Sequence, residues 1–170
     1  LHQRRGSRAD KPKLVAVVPV SPGAALHLDA FVSSLMHSLR RICTARVADS
    51  ADHLAEVGSA AVGALAQEAT AFWLHQLEET HDVVLLKGDP FPSAWCAQCA
   101  SHADVVLLVA SADDEPPVPE EGKQLQQRLL GLRRHHQFNL GFRELVLLHE
   151  DANDSVPINT RPWLEAFGVH

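Results

Sequence analysis

The chain has 170 residues, of which 46% are hydrophobic and 21% are charged, and its formal net charge is -6. This length is enough for one domain with a buried core, and the composition excludes a disordered chain. An acidic body disfavours nucleic acid as a partner, and no apolar run reaches the ~18 residues of a membrane span. Three cysteines are too few for a disulfide framework, which predicts a cytoplasmic location.

Residues 1–13 form a basic arm that contains Arg4, Arg5, Arg8, Lys11 and Lys13. Of the 15 basic and 21 acidic residues in the chain, 10 and 20 then remain in residues 14–170. The arm lacks the apolar centre of a signal peptide, so it is interpreted as a linker from a preceding domain, with contact to anionic lipid or an acidic partner as the alternative. Because the chain starts at Leu1 rather than Met, we expect residues 14–170 to be one α/β domain of a longer multidomain protein.

Four apolar runs, rich in β-branched residues, predict strands of a parallel sheet that is buried on both faces, and a fifth, shorter run is a further candidate. The runs are residues 14–20, 83–86, 105–109 and 144–148, with 45–48 as the shorter candidate.

Helical patterns lie between these runs. One apolar stripe joins Leu28, Phe31, Val32, Leu35, Leu39 and Ile42. A second joins Leu54, Val57, Ala61, Leu65, Phe72, Trp73 and Leu77, and glycines at 58 and 63 predict a break within it. Helices are also predicted over residues 93–102 and 120–134, and a proline-rich loop over 112–119. This alternation predicts a three-layer, doubly wound, mostly parallel sheet of Rossmann-like type.

The turn after the first strand is the first candidate site. In a phosphate-binding loop, several glycine amides and a lysine would hold phosphates, and a Ser or Thr would hold magnesium. This turn offers Ser21, Gly23 and Ala24, with one glycine and no lysine. At the end of the next central strand, Asp89 could coordinate magnesium, but without the phosphate loop it is better interpreted as the start of a turn. A nucleotide-binding switch at these residues is one alternative function.

Trp95-Cys96-Ala97-Gln98-Cys99 resembles a thioredoxin active site, so a dithiol oxidoreductase is a second alternative. Against it, the helix that would carry the cysteines is only about two turns long, because the next strand follows at once. No His-Glu-x-x-His and no Gly-x-Ser-x-Gly occurs, and a single Cys-x-x-Cys is a weak zinc signal. We therefore expect no catalytic residue, no metal and no cofactor. Trp95 and Trp163 are candidates for a docking face, although core packing is the favoured interpretation.

Taken in order, these parts resemble a known family. The segments that carry the resemblance are residues 17–21, 72–74, 78–81, Trp95 with Cys99, 103–109, 113–116, 144–149 and 159–164. This ordered set resembles the region that precedes the patatin domain in neuropathy target esterase and related patatin-like lysophospholipases, and the likeness covers nearly all of residues 13–170.

The resemblance implies a degenerate, P-loop NTPase-like fold of the MinD/ParA type that lies between cyclic-nucleotide-binding-like domains and a patatin-like catalytic domain. It also implies that the Ser-Asp dyad of lipid ester hydrolysis lies outside this chain. The expected function is a non-catalytic accessory or regulatory domain whose partners are those neighbouring domains. Membrane association, on the cytosolic face, is then expected only through the full-length protein. Fold alone does not determine this function.

Overall fold

The computed structural model describes residues 13–58, 64–118, 121–122, 124–125, 142–149 and 160–167. The strands are β1 (Leu14–Pro19), β2 (Ala45–Ala48), β3 (Val83–Lys87), β4 (Val105–Ser111) and β5 (Phe142–Leu148). The helices are α1 (Pro22–Leu39), α2 (Ser50–Val57), α3 (Ala64–Thr80), α4 (Ala94–His102) and α5 (Thr160–Phe167). Residues 121, 122, 124 and 125 are also helical, and the rest of the predicted helix over 120–134 lies outside the described residues.

The five strands form one parallel sheet in the order β2-β3-β1-β4-β5. Each predicted apolar run is a strand of this sheet, which confirms the α/β fold class. The central strands β1, β3 and β4 are the most apolar, because helices cover them on both faces. The polar Arg143 and Glu144 lie on β5, which the sheet order places at an edge.

The order of the strands determines which face each helix covers. The chain leaves β1 for the β2 edge and afterwards moves only in the opposite direction, so right-handed crossovers place α1 on one face and the later helices on the other. Accordingly, α1 packs on Val17, Leu85 and Val109, while α3, α4 and α5 form the second core layer. Three tryptophans contribute to that second layer: Trp73, Trp95 and Trp163.

Two aspartates align the strands at their amino ends. Asp104, just before β4, accepts hydrogen bonds from the backbone N–H groups of Lys13 (2.8 Å) and Leu14 (3.0 Å). Asp82, just before β3, accepts from both the N–H (2.9 Å) and the hydroxyl (2.6 Å) of Thr44. Each carboxylate therefore holds the start of a neighbouring strand that is distant in the sequence.

The break predicted near Gly58 is confirmed, because α2 ends at Val57 and α3 begins at Ala64. Gly58 caps α2 with a φ of +80°, a conformation that favours glycine over residues with a Cβ. Asp49 caps the other end of α2, where it forms a capping box with Asp52. Gly63 lies outside the described residues.

Three predictions of apolar packing are wrong. Ile42 lies beyond the end of α1 and is 82% exposed, because the helix has already ended at Leu39. Leu54 and Phe72 are exposed, because α2 and α3 turn His53 and Trp73 inward instead. Among the described residues, none of the helices has the length and apolar character needed to cross a bilayer.

Candidate functional site at the carboxyl edge of the sheet

The carboxyl edge is the end of the sheet at which β1, β3 and β4 terminate. There the connection after β1 turns to one face, while those after β3 and β4 turn to the other. Open α/β sheets bind their ligands at such a switch point. The edge brings together the predicted turn residues, Asp89, and the loop that follows β4, so it is the candidate site of this fold.

The first turn of α1 has no free amide group. Pro22, its first residue, has no N–H. The N–H of Gly23 donates to Asp114 Oδ2 at 2.7 Å, and that of Ala24 donates to Ser21 Oγ at 3.4 Å. The N–H of Ala25 donates to the carbonyl oxygen of Ser21 at 3.1 Å, the first helical bond. A carboxylate of the chain itself therefore occupies the position at which a phosphate would meet this helix.

The loop after β4 is held tightly against this turn. Ser21 Oγ also accepts from the N–H of Ser111 at 2.9 Å. A Cβ atom on Gly23 would lie 2.7 Å from Ser111 Cβ and 2.9 Å from Asp114 Oδ2, so only glycine fits here without a shift. The glycine thus serves close packing between two loops of the chain rather than close approach of a ligand.

Asp89 is held by hydroxyl groups on both of its oxygens. Ser50 donates to Oδ1 at 2.7 Å and Ser93 donates to Oδ2 at 2.6 Å. Ser93 is also the N-cap of α4, and its hydroxyl oxygen accepts from the N–H of Cys96 at 3.1 Å. Asp89 therefore ties α2 to α4, which agrees with its interpretation as a turn residue.

Lys87, at the end of β3, is a candidate replacement for a phosphate-binding lysine. Its ammonium group already binds Asp29 Oδ1 at 3.1 Å and lies 3.6 Å from Asp49 Oδ2. The hydrogen bond to Asp29 raises the pKa of Lys87 above its ordinary value, and burial only partly opposes this. The charge of Lys87 is thus used to join α1 and α2.

An aromatic cluster of His53, Trp73 and Trp95 lies beneath these polar groups. Trp95 Nε1 donates to the Lys87 carbonyl at 2.9 Å, and the His53 ring lies 4.9 Å from Trp95 and 5.7 Å from Trp73. The Nε2 atom of His53 is 2.8 Å from Thr70 Oγ1, and burial lowers the pKa of His53, which favours the neutral imidazole. The periodicity of apolar residues did not predict this cluster, although Trp95 itself was named as a candidate for a docking face.

Both cysteines of the thioredoxin-like motif are buried free thiols. Cys96 Sγ faces the carbonyl oxygens of Asp89 (3.7 Å) and Phe91 (3.6 Å). Burial, with smaller contributions from Cys96 and Asp89, raises the pKa of Cys99 well above its ordinary value. An attacking thiol needs exposure and a lowered pKa, so these features disfavour the redox alternative, which stays a hypothesis.

We expect the three cysteines to react at different rates with a thiol reagent at pH 8. Cys43 is half-buried, whereas Cys96 and Cys99 are enclosed, and Cys99 holds its proton more firmly than an ordinary thiol. A thiol-reactive disulfide should modify one residue rapidly in the folded chain, and Cys43→Ser should abolish that phase. All three should react in denaturant. Rapid modification of Cys96 or Cys99 in the folded protein would contradict this expectation and revive the redox hypothesis.

The structure brings Ser21, Gly23, Ala24 and Asp89 to one edge of the sheet. Each polar group of these residues that is described above forms a hydrogen bond within the chain. Within the part of the chain that the structure describes, no group of three or more His, Cys, Asp or Glu side chains could hold a metal ion. Besides the aromatic cluster, sequence reasoning missed Asp114 as a site residue, for which the available signal was an acidic run after a strand. Trp95 and Trp163 are buried in the core, so they form no docking face.

The fold and this edge together define a P-loop-like α/β domain in which the first turn of α1, as described, offers no free amide to a phosphate. The family model described as the Neuropathy Target Esterase family P-loop like domain matches residues 11–167. This chain belongs to that family, as the sequence resemblance implied.

Similar proteins include patatin-like phospholipase domain-containing protein 7 of Rattus norvegicus, with 29% identity over 88% of this chain. Patatin-like phospholipase domain-containing protein 6 of Mus musculus is 28% identical over 96% of the chain. Neuropathy target esterase sws of Drosophila melanogaster is 30% identical over 92%. The match covers 10%, 11% and 10% of these relatives, respectively, so the chain spans about a tenth of their length.

Proposed function

We propose that this domain is a non-catalytic accessory domain that positions or regulates the catalytic domain of a patatin-like phospholipase. The observation that carries the proposal is the occupied first turn of α1. There, Asp114 accepts from the Gly23 N–H, and Ser21 accepts from Ala24. Phosphate loops bind nucleotides through free amides and a lysine, and this turn offers neither.

The charges around the turn support the same proposal. Asp89 is bound by two serines, and Lys87 is bound by two carboxylates. A polyphosphate arriving at this edge would meet Asp114 at the helix N-terminus. Repulsion between these anions disfavours binding, and there is no spare cation to offset it among the groups described above.

The relatives suggest what the domain serves. Their names describe patatin-like phospholipases, a neuropathy target esterase and, in Candida glabrata, a lysophospholipase. The full-length parent would accordingly be a hydrolase of phospholipid or lysophospholipid esters whose catalytic dyad lies outside residues 1–170. The partners would be that catalytic domain and cyclic-nucleotide-binding-like domains of the same chain. The parent would act on the cytosolic face of a membrane.

The proposal is tested with the purified 170-residue chain. Calorimetric titration with ATP, GTP or a cyclic nucleotide, with magnesium present, should give no binding heat at millimolar ligand. Assays with lysophospholipid and short-chain esters should give no turnover that survives purification. Saturable binding of a nucleotide would favour the switch alternative, and robust ester hydrolysis would exclude a non-catalytic domain.

We expect Asp114→Ala to lower the free energy of unfolding by about 1 kcal/mol, the typical effect of removing an N-terminal cap. It should not create nucleotide binding, because the loop still lacks a lysine. Asp113→Ala is the matched control, since Asp113 is an exposed neighbour whose side chain makes none of these contacts. Urea unfolding and the same titrations provide the measurements. If Asp114→Ala bound ATP with magnesium, the site would be a closed but competent phosphate loop.

A further inference from the structure

Ile42 is a large aliphatic residue that lies in solvent at the amino edge, the end of the sheet at which β1 and β3 begin. Its side chain is 82% exposed. The periodicity of α1 predicts an inward position for it, but the helix ends at Leu39 and Ile42 falls in the turn that leads to β2. A single exposed aliphatic side chain is ordinary, so its surroundings decide whether it can serve as a contact.

The turn that carries Ile42 is fixed by backbone hydrogen bonds to the end of α1. The N–H groups of Ile42 and Cys43 both donate to the carbonyl oxygen of Leu39, at 2.9 Å each. The N–H of Arg41 donates to the carbonyl oxygen of Ser38 at 3.3 Å. Because the turn is already ordered, holding its side chains against a partner costs little conformational entropy.

Two basic side chains stand beside Ile42 in this turn. Arg40 and Arg41 directly precede it, and both are exposed. Neither guanidinium group forms an ion pair within the part of the chain that the structure describes. An unpaired guanidinium group can bind a phosphate through two parallel hydrogen bonds. The turn therefore presents an aliphatic side chain together with two groups suited to phosphate.

The basic arm is attached to the domain at the same edge. The Lys13 carbonyl accepts from the N–H of Val84 at 2.7 Å, and the Thr44 carbonyl accepts from the N–H of Val83 at 3.2 Å. Lys13 and Thr44 thus lie on opposite sides of β3, two strand spacings or roughly 10 Å apart. Because residues 1–12 are joined to Lys13, the four Lys and Arg residues among them are tethered to the edge that presents the turn.

The acidic residues near this edge leave the turn uncovered. Asp82 and Asp104 accept the hydrogen bonds that align the strands, as described above. Glu79 Oε1 lies 3.5 Å from His75 Nε2, and Glu78 is partly buried. Both glutamates belong to α3, which covers the face of the sheet opposite to α1. The sheet therefore separates these two carboxylates from the arginines at the end of α1.

We propose that the amino edge is a contact surface for anionic phospholipids, with Ile42 inserted at the boundary between headgroups and acyl chains. Arg40, Arg41 and Lys13 would bind phosphate groups, and the basic arm would add attraction. Apolar side chains beside Lys and Arg are the combination with which proteins bind a membrane interface, whereas a nucleic acid offers Ile42 no apolar phase. This inference goes beyond the accessory role, because it assigns a membrane contact to this domain itself.

The test is co-flotation of the 170-residue chain with lipid vesicles at low salt. Vesicles of phosphatidylcholine with about 30% phosphatidylserine should bind the chain at least about tenfold more tightly than phosphatidylcholine alone. One basic residue near an anionic surface contributes about fivefold, so Arg41→Gln should weaken binding by about that factor. Ile42→Ser should weaken it at least about fivefold, because less apolar surface leaves water. At ~1 M salt the preference for anionic vesicles should disappear.

The matched controls make the same substitutions elsewhere. Leu26 is also 82% exposed, but it lies in the second turn of α1 at the carboxyl edge, so Leu26→Ser should bind vesicles like the unchanged chain. Arg161→Gln, at an exposed position on α5, should likewise have no effect. An environment-sensitive fluorophore on Ile42→Cys, in the Cys43→Ser background, should shift its emission to shorter wavelength with anionic vesicles. The same label on Leu26→Cys should not shift.

Three results would overturn the proposal. The first is an unchanged chain that does not bind anionic vesicles. The second is equal binding by Ile42→Ser, Leu26→Ser and the unchanged chain, which would assign the attraction to the basic arm alone. The third is weaker binding by Arg41→Gln without any effect of Ile42→Ser or any emission shift at position 42, which would assign the surface to an acidic macromolecule rather than to lipid.

Discussion

Replacing Trp95 by alanine is expected to lower the free energy of unfolding by about 3–5 kcal/mol, the range for a large buried aromatic side chain. Trp95 is 7% exposed, and its ring packs with His53 and Trp73. Its indole N–H also donates to the Lys87 carbonyl, so truncation leaves both a cavity and an unpaired acceptor.

Urea unfolding followed by circular dichroism measures this effect, because the substitution itself changes the tryptophan fluorescence. Trp95→Phe should retain much of the packing and cost about 1–2 kcal/mol through the lost hydrogen bond and the smaller ring. Phe91→Ala, at an exposed position nearby, should change stability by less than about 0.5 kcal/mol. Equal effects of Trp95→Ala and Phe91→Ala would contradict the burial of Trp95.

Asp89→Ala is expected to lower the free energy of unfolding by about 2–4 kcal/mol, because two hydrogen bonds to a charged acceptor are lost together. The Ser50 and Ser93 hydroxyls that donate to Asp89 are half-buried, so they would be left without this acceptor. The loss also loosens the cap of α4, since Ser93 holds the Cys96 N–H.

Asp89→Asn keeps one acceptor oxygen in the same shape and should cost less than Asp89→Ala. Chemical unfolding of both variants measures the difference, with Asp113→Ala as an exposed control at the same edge. The structural role would be wrong if Asp89→Ala retained full stability. It would also be wrong if the substitution abolished a magnesium-dependent binding of nucleotide, since that would make Asp89 a ligand rather than a link between helices.

Much of the fold could be predicted from the chain, because central strands of a parallel sheet are apolar on both faces and the runs before Pro19, Lys87 and Ser111 have this property. Helix faces were less predictable. Period analysis shows that a stripe exists but not what covers it, so Leu54 and Phe72 were placed inward although they are exposed. The inward residues include His53, whose polar ring gives no apolar signal.

The sequence shows which phosphate-binding residues the site lacks, but it does not show which hydrogen bonds the site makes. A missing lysine after Ser21 can be seen directly in the sequence. The bond from Gly23 to Asp114 spans 91 residues, and that from Ser111 to Ser21 spans 90. Three consecutive acidic residues follow β4, and only the shape of the loop selects Asp114 among them. The residues next to Asp114 in the sequence do not by themselves determine that loop conformation.

Asp82, just before β3, and Asp104, just before β4, bear on how the strands of the sheet align. In a hairpin the turn sets the alignment of two strands, but parallel neighbours are joined by long crossovers that leave the alignment open. Asp82 joins positions 38 residues apart, and Asp104 joins positions 91 residues apart. A shift by one residue would break these bonds and turn each strand's side chains to the wrong face. The two carboxylates therefore favour the native alignment of the strands, because a misaligned pairing loses their hydrogen bonds.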